Sequence, residues 1–407
     1  MKNESPKYRL DKFNQNWIIV KLSDIACQYK TGGTPSTKEP TFWSGTIPWI
    51  QSSDIQKDIL FGVKPQKYIS EEGLQNSSAK LISKNSIAIV TRVGVGKLAI
   101  IDQDYATSQD FLSLSDFNGD TQFIVYSIYR MLQKESTQLQ GTSIKGITKE
   151  DLLSKKVSLP EIDEQSAIGS LFRTLDELLA SYKDNLANYQ SLKATMLAKM
   201  FPKAGQTVPE LRLNGFEGEW KKSKLKDVAH RVQGNDGRMD LPTLTISASG
   251  GWMNQIDRFS ANIAGKEQKN YTLLKKGELS YNHGNSKLAK YGVVFELQEY
   301  EEALVPKVYH SFRVNHLADA KFIEIMFSTK IPDRELGKLV SSGARMDGLL
   351  NISFDDFMNI TIIIPTLDEQ QGIGSYFSNL DNLIASHQDK ISQLETLKKK
   401  LLQDMFI

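Results

Sequence analysis

Residues 159–201 and 364–406 superpose without a gap at an offset of 205, and 19 of the 43 positions are identical. A weaker match opens each half: Trp17 with Lys21–Ala26 (KLSDIA) corresponds to Trp220 with Lys224–Ala229 (KLKDVA) at an offset of 203. The length, 407 residues, is close to twice that period, so the chain reads as two tandem copies of one unit. Each copy is a stretch of about 140 residues followed by one long helix. The middles, about 27–150 and 230–355, show no convincing similarity, which suggests one scaffold carrying two different readers.

The helices are legible from their heptads. With Ile168 at position a, the a positions are Ile168, Leu175, Tyr182, Tyr189 and Met196, and the d positions are Leu171, Leu178, Asn185, Leu192 and Lys199. Position e adds Phe172, Leu179, Leu186 and Met200. The second copy has Ile373, Leu380, His387, Leu394 and Leu401 at a, with Phe377, Ile384, Ile391 and Met405 at e. Five heptads with a seam widened by e predict a coiled coil or bundle, with Asn185 and His387 as packing or register features. Each helix follows a proline, Pro160 or Pro365, and carries Asp163/Glu164 or Asp368/Glu369 in its first turn, where negative charge suits the macrodipole. Such a helix is about 57 Å long and cannot bury its seam alone, so the other copy is the expected partner.

The globular stretches read as short strands, turns and short helices. Ile87–Thr91 and Lys97–Ile101 are β-type runs around a glycine-rich loop; Val293–Phe295, Val308–Val314, Val157–Leu159 and Ile360–Ile364 are others. Phe123–Gln133 and Lys321–Thr329 read as helices, and Trp43 and Trp49 as core. The expected fold class is α+β: two mixed domains, 1–158 and 206–363, joined by two long antiparallel helices within 159–205 and 364–407, with pseudo-twofold symmetry.

Composition excludes several classes. Fifty basic against 48 acidic side chains leave +2, which gives no reason by itself to expect nucleic acid. No apolar run approaches the roughly 18 residues of a membrane span, and the N-terminus lacks the apolar core of a signal peptide. The single cysteine, Cys27, excludes an internal disulfide and a cysteine-cluster metal site. No membrane partner is expected, and the expected compartment is the cytoplasm.

Catalytic patterns fail in context. Gly94–Ala99 (GVGKLA) resembles a dinucleotide fingerprint, yet a β-run follows where a helix must begin, and Leu98 stands where a P-loop needs a hydroxyl. No two prolines adjoin, so the Asn/Asp-Pro-Pro-aromatic motif of an amino-methyltransferase is absent. Asp257 with Glu267-Gln268-Lys269 is a chance-level nuclease pattern. The five histidines show no metal-ligand spacing. The chain reads as a binding protein and not as an enzyme.

With these features together, the sequence resembles the specificity subunit of type I restriction-modification systems over nearly its whole length. The resemblance rests on the two Pro-x-x-Asp-Glu-Gln-x-x-Ile helix starts at Pro160–Ile168 and Pro365–Ile373, on the Met-Phe helix ends, and on the two Trp…Lys-Leu-x-Asp openings. Gly32-Gly33-Thr34-Pro35-Ser36 followed by Phe42–Trp49 is typical of the family's target recognition domains; the second domain lacks it. The resemblance implies that each domain reads one half of a bipartite, asymmetric double-stranded DNA site. It also implies that the helix pair sets the spacer, and that two methyltransferase subunits dock on the chain, with restriction subunits joining them. S-adenosylmethionine, ATP and Mg would belong to those partners, and no cofactor to this chain. A structural adaptor, two ligand-binding modules on a rod without a DNA role, is the alternative from another class.

Base readout needs amide, hydroxyl or basic side chains on loops that can enter a groove. In the first domain the candidates are Thr34, Ser36 and Lys38; Thr91, Arg92, Gly94, Gly96 and Lys97; and Gln140, Thr142, Ser143 and Lys145. In the second they are Asn282, His283, Asn285, Ser286 and Lys287, then Ser342 and Arg345, with Ser249–Trp252 weaker. The last loop of each domain precedes its long helix at a corresponding place. Counted by segment, 17–158 carry 16 − 14 = +2 and 216–363 carry 20 − 19 = +1, while the helix segments 159–205 and 364–407 carry 5 − 6 = −1 and 4 − 6 = −2. So weak a balance predicts poor DNA binding by the isolated chain and tighter binding once partners neutralise phosphates.

Overall fold

The computed structural model describes residues 6–92, 94–138, 146–259, 265–284, 286–340 and 349–407. It divides into two units, the first made of the chain up to Asp184 together with His387–Ile407, the second of Asn185–Ser386.

The strands of the first unit are β1 (Ile18–Lys21), β2 (Ala26–Thr31), β3 (Ile47–Ile50), β4 (Lys67–Ile69), β5 (Ser86–Val90), β6 (Leu98–Ile101), β7 (Ala106–Thr107), β8 (Phe111–Phe117) and β9 (Lys156–Leu159). A four-stranded sheet has the order β2-β8-β5-β6, and a smaller sheet the order β4-β3-β7. β5 reads Ser-Ile-Ala-Ile-Val and is buried throughout, as a central strand covered on both faces requires. β1 pairs with β9, so the start of the copy is tied to the segment that enters the long helix. The helix Thr121–Gln138 lies against β5, β6 and β9 and sends Phe123, Tyr126 and Ile128 into the core.

The second unit carries β10 (Lys221–Lys224), β11 (Ala229–Arg231), β12 (Leu244–Ser247), β13 (Gly251–Asn254), β14 (Thr272–Lys275), β15 (Leu279–Asn282), β16 (Val293–Glu296), β17 (Glu302–Val305), β18 (His310–Val314) and β19 (Thr361–Ile364). Its four-stranded sheet runs β11-β18-β15-β16, the same order as in the first unit, and β10 pairs with β19 as β1 does with β9. The middles that share no recognisable sequence therefore share a sheet. They differ in what is added: β4-β3-β7 in one unit, β12-β13 and β14-β17 in the other.

Two helices of 38 residues each, Ile162–Lys199 and Leu367–Asp404, follow β9 and β19. Within the first unit, Lys183 pairs with Glu395 and Lys398 with Asp176, so the rising number on one helix meets a falling number on the other: they run antiparallel. In the second unit Lys193 pairs with Asp381. The seam differs from the heptad expectation in one respect. Positions a and e are covered (Ile168, Phe172, Leu175 and Leu179; Ile373, Phe377 and Leu380), whereas Leu178, Leu192, Leu383 and Leu397 at d are exposed. Each helix also packs against a globular body, and that second contact rotates the buried stripe from d toward e.

The Asp-Glu-Gln motif has a structural role that the dipole argument missed. Glu164 is fully buried and accepts a bidentate pair from Arg9 at 2.7 and 2.6 Å; Glu369 accepts the same pair from Arg212. Each carboxylate holds its arginine's pKa up through these hydrogen bonds. Gln165 accepts from Asp120 N and donates to the Pro160 carbonyl; Gln370 does the same with Asp319 N and Pro365. The Met-Phe ends are equally structural. Phe406 stacks on Phe123 and leans on Phe172, and Phe201 stacks on Phe322.

Candidate nucleic-acid interface

In the first unit the candidate loops are gathered by one residue, Thr91, just after β5. Its N–H and hydroxyl both donate to the Asp110 carbonyl, at 2.7 and 3.0 Å, and its own carbonyl accepts from Ile147 N at 2.7 Å. The β5–β6 hairpin, the turn that enters β8 and the segment after residue 145 thus meet at one buried threonine. Gly94 and Gly96 carry φ of +87° and +91°, so the hairpin tip turns through the left-handed region that glycine tolerates.

The loop after β2 joins the same place. Gly33 N donates to the Thr107 carbonyl at 2.8 Å, and Thr34 Oγ1 donates to Gln109 Oε1 at 2.6 Å. A Cβ on Gly32 would lie 2.1 Å from Thr107 Oγ1, and one on Gly33 2.2 Å from the Ser78 carbonyl oxygen. These glycines allow close backbone packing, so the Gly-Gly-Thr-Pro-Ser segment is a docked loop with Ser36 and Lys38 exposed beyond it. Trp49 Nε1 donates to the Gly33 carbonyl and Trp43 Nε1 to that of Ser36, and the two rings meet edge to face at 5.0 Å. Trp49 is core as expected; Trp43 is half-buried.

Arg92 is exposed and has no ion pair among the described residues. Lys97 is folded back, its Nζ 3.3 Å from the Ser52 carbonyl, so the two cations of the hairpin are not equivalent. Gln140, Thr142, Ser143 and Lys145 lie outside the described residues.

The second unit repeats the junction with different chemistry. His283 follows β15 as Thr91 follows β5. Its carbonyl accepts from Leu350 N at 2.9 Å, as Thr91 accepts from Ile147, and its Nε2 lies 2.9 Å from the Val308 carbonyl in the turn before β18. Its Nδ1 lies 2.7 Å from the Leu350 carbonyl. The ring is buried and stacks on His310 at 4.7 Å. Desolvation first, then the charge of Arg231 and the neighbouring His283, push the His310 imidazole down to about 4, against a hydrogen bond to Ile352 that favours its protonated form.

Several expectations change here. His283, read from sequence as a contact residue, is a buried framework residue with both ring nitrogens against carbonyls. Thr91 is likewise spent on Asp110. Asn282 is also engaged inward, donating to the Ile246 carbonyl and accepting from Gly284 N. Ser286 accepts from Ala289 N, and Lys287 is exposed. Ser247 and Ser249 bond each other, and Trp252 donates to the Glu296 carbonyl, which makes the 249–252 turn structural. Asn285, Ser342 and Arg345 lie outside the described residues.

Sequence reading passed over the turns that enter β8 and β18. Their signal was faint: a Ser-Gln-Asp step between two apolar runs, and a lone lysine after Pro306. Among the described residues no cluster of histidines, cysteines or carboxylates is arranged to hold a metal ion. No described helix is long and apolar enough to cross a membrane.

The chain is 32% identical over 166 residues to the EcoR124I/EcoR124II type I restriction enzyme specificity subunit of Escherichia coli, 38% of this chain and 40% of that protein. It is 21% identical over 406 residues to the MjaVIII specificity subunit of Methanocaldococcus jannaschii, 95% of this chain and 91% of that one. The chain thus spans about two fifths of the length of some curated relatives and nearly all of another. The crystal structure of the S subunit of a type I restriction-modification system from M. genitalium shares the fold, with a TM-score of 0.62 over 99% of both chains at 15% identity. A family model described as the type I restriction modification DNA specificity domain matches residues 14–188 and again 217–396, and the chain belongs to that family.

Proposed function

We propose that this chain is the DNA sequence-recognition subunit of a type I restriction-modification complex. The observation that carries the reading is the repeated loop junction, built on Thr91 in one unit and His283 in the other. One sheet order holds two different sets of exposed side chains, so each domain, 1–158 and 206–363, reads a different half of a bipartite, asymmetric site. Arg92 and Lys38 in the first domain and Lys287 in the second are exposed candidates whose charged ends have no partner among the described residues, and the exposed Ser36 hydroxyl, which accepts from Lys38 N, keeps its proton to donate. Gln140, Thr142, Ser143 and Lys145, then Asn285, Ser342 and Arg345, complete the set as candidates read from the sequence.

The two 38-residue helices set the spacer. Two methyltransferase subunits dock on them. The exposed d leucines support this, because each unit leaves the same pair uncovered: Leu178 with Leu397 in one, Leu192 with Leu383 in the other. Restriction subunits join the assembly in the cytoplasm. S-adenosylmethionine, ATP and Mg, and with them DNA methylation and cleavage, belong to the partner subunits. The near-neutral charge fits this division: this chain discriminates, and partners supply much of the phosphate neutralisation.

The test is methylome sequencing of a host expressing the chain with its methyltransferase subunits. One bipartite motif that disappears when this chain is omitted supports the reading; the absence of any such motif rejects it.

A further inference from the structure

We infer that the turns entering β8 and β18 are DNA-contact elements in both domains, with Gln109 reading a base edge in one half-site and Lys307 holding a phosphate in the other. The inference rests on the recognition role proposed above and adds residues to it. The two turns are equivalent in the fold. Asp110 accepts from Thr91, the residue that follows β5, and the Val308 carbonyl lies 2.9 Å from Nε2 of His283, the residue that follows β15. Gln109 and Lys307 each stand immediately before the accepting residue, and both are exposed beside the loops that sequence reading selected.

Their chemistry differs. Gln109 is held: its Oε1 takes the Thr34 hydroxyl proton at 2.6 Å, while its Nε2 has no partner among the described residues. A fixed amide with free N–H groups and a remaining acceptor lone pair suits the edge of an adenine, which offers N7 as acceptor and N6 as donor. The ordering entropy of that side chain is already met in part by Thr34. Lys307 has no hydrogen bond or ion pair among the described residues. A long, flexible point charge matches a phosphate better than a base edge.

The experiment uses the chain assembled with its methyltransferase subunits, the target found by methylome sequencing, and duplexes carrying each single base change. Gln109→Ala is expected to lose about 10- to 100-fold of discrimination at one position of one half-site, with the other half-site read as before. Thr34→Val is expected to weaken discrimination at that same position. Lys307→Ala is expected to weaken binding to all duplexes alike and to reduce the slope of log affinity against log salt by about one phosphate contact. Retained reading of the opposite half-site certifies that each variant is folded. Wild-type discrimination in Gln109→Ala together with a wild-type salt slope in Lys307→Ala overturns the inference. A wild-type assembly with no bipartite target instead overturns the recognition role itself.

Discussion

Lys398 and Asp176 form an ion pair on the seam of the long helices, and Asp176 also accepts the Tyr126 hydroxyl at 2.6 Å. Burial, reinforced by Asp176, pushes the Tyr126 hydroxyl well above its usual range, so it stays a donor. One repeat away, Lys193 and Asp381 make the same pair, since 398 − 193 and 381 − 176 both equal the offset of 205. The surroundings differ: the side chains of the first pair are 11% and 18% exposed, those of the second 32% and 42%.

That difference fixes a prediction. Asp176→Ala leaves a nearly buried ammonium and a buried tyrosine hydroxyl without their acceptor, and should cost about 2–4 kcal/mol. Asp381→Ala removes a half-exposed pair and should cost below about 1 kcal/mol. Urea unfolding of the two variants, followed by circular dichroism, separates them. Equal losses would mean that burial at Asp176 has no energetic consequence.

His310 sets a pH dependence. Its imidazole sits at about 4 in the fold because burial opposes charge, with Arg231 and His283 beside it. An unfolded histidine titrates near 6.5, so between those values the unfolded chain binds more protons. The contribution is therefore intact above about pH 6.5 and is lost as pH falls toward 4. From pH 7 to pH 5 this residue should remove on the order of 1–2 kcal/mol. His310→Gln keeps a donor for the Ile352 carbonyl and removes the titration. Urea midpoints at the two pH values should diverge more for wild type than for the variant. Parallel shifts would assign the pH dependence elsewhere.

Arg92 and Arg345 should act on separate halves of the target. A guanidinium on a base edge contributes about 1–3 kcal/mol of discrimination. Arg92→Ala should relax or abolish modification of one half-site, and Arg345→Ala of the other, while both chains still assemble with methyltransferase subunits. Methylome sequencing reads the outcome. Unchanged modification by both variants would remove these loops from the reading surface.

Much of this architecture was legible because repetition is a global signal. The helix pair, the strand before each helix and the Met-Phe ends could be placed from an offset of 205 alone. What escaped was contact made at long range. Glu164 looked like a first-turn charge because nothing local announces Arg9, 155 residues away. His283 looked like a loop ligand because the carbonyls that face its ring, Val308 and Leu350, lie 25 and 67 residues further along the chain. The d leucines looked buried because a heptad counts one neighbouring helix and not the globular body on its other flank.

The seam also predicts how the target spacing can be changed. Tyr182 faces His387 at 5.3 Å, and these two residues are themselves one repeat apart, so matched insertions beside them preserve the pseudo-symmetry. Seven residues keep the a and e positions in phase and lengthen a helix by about 10 Å. Inserting one heptad between Tyr182 and Leu186 and another between His387 and Ile391 should therefore add about three unspecified base pairs at roughly 3.4 Å each. Both half-sites should remain the same. A four-residue insertion turns the apolar stripe by about 40° and should cost stability before it changes spacing. Methylome sequencing that returned the original spacer for the seven-residue variant would defeat the helix pair as the element that sets it.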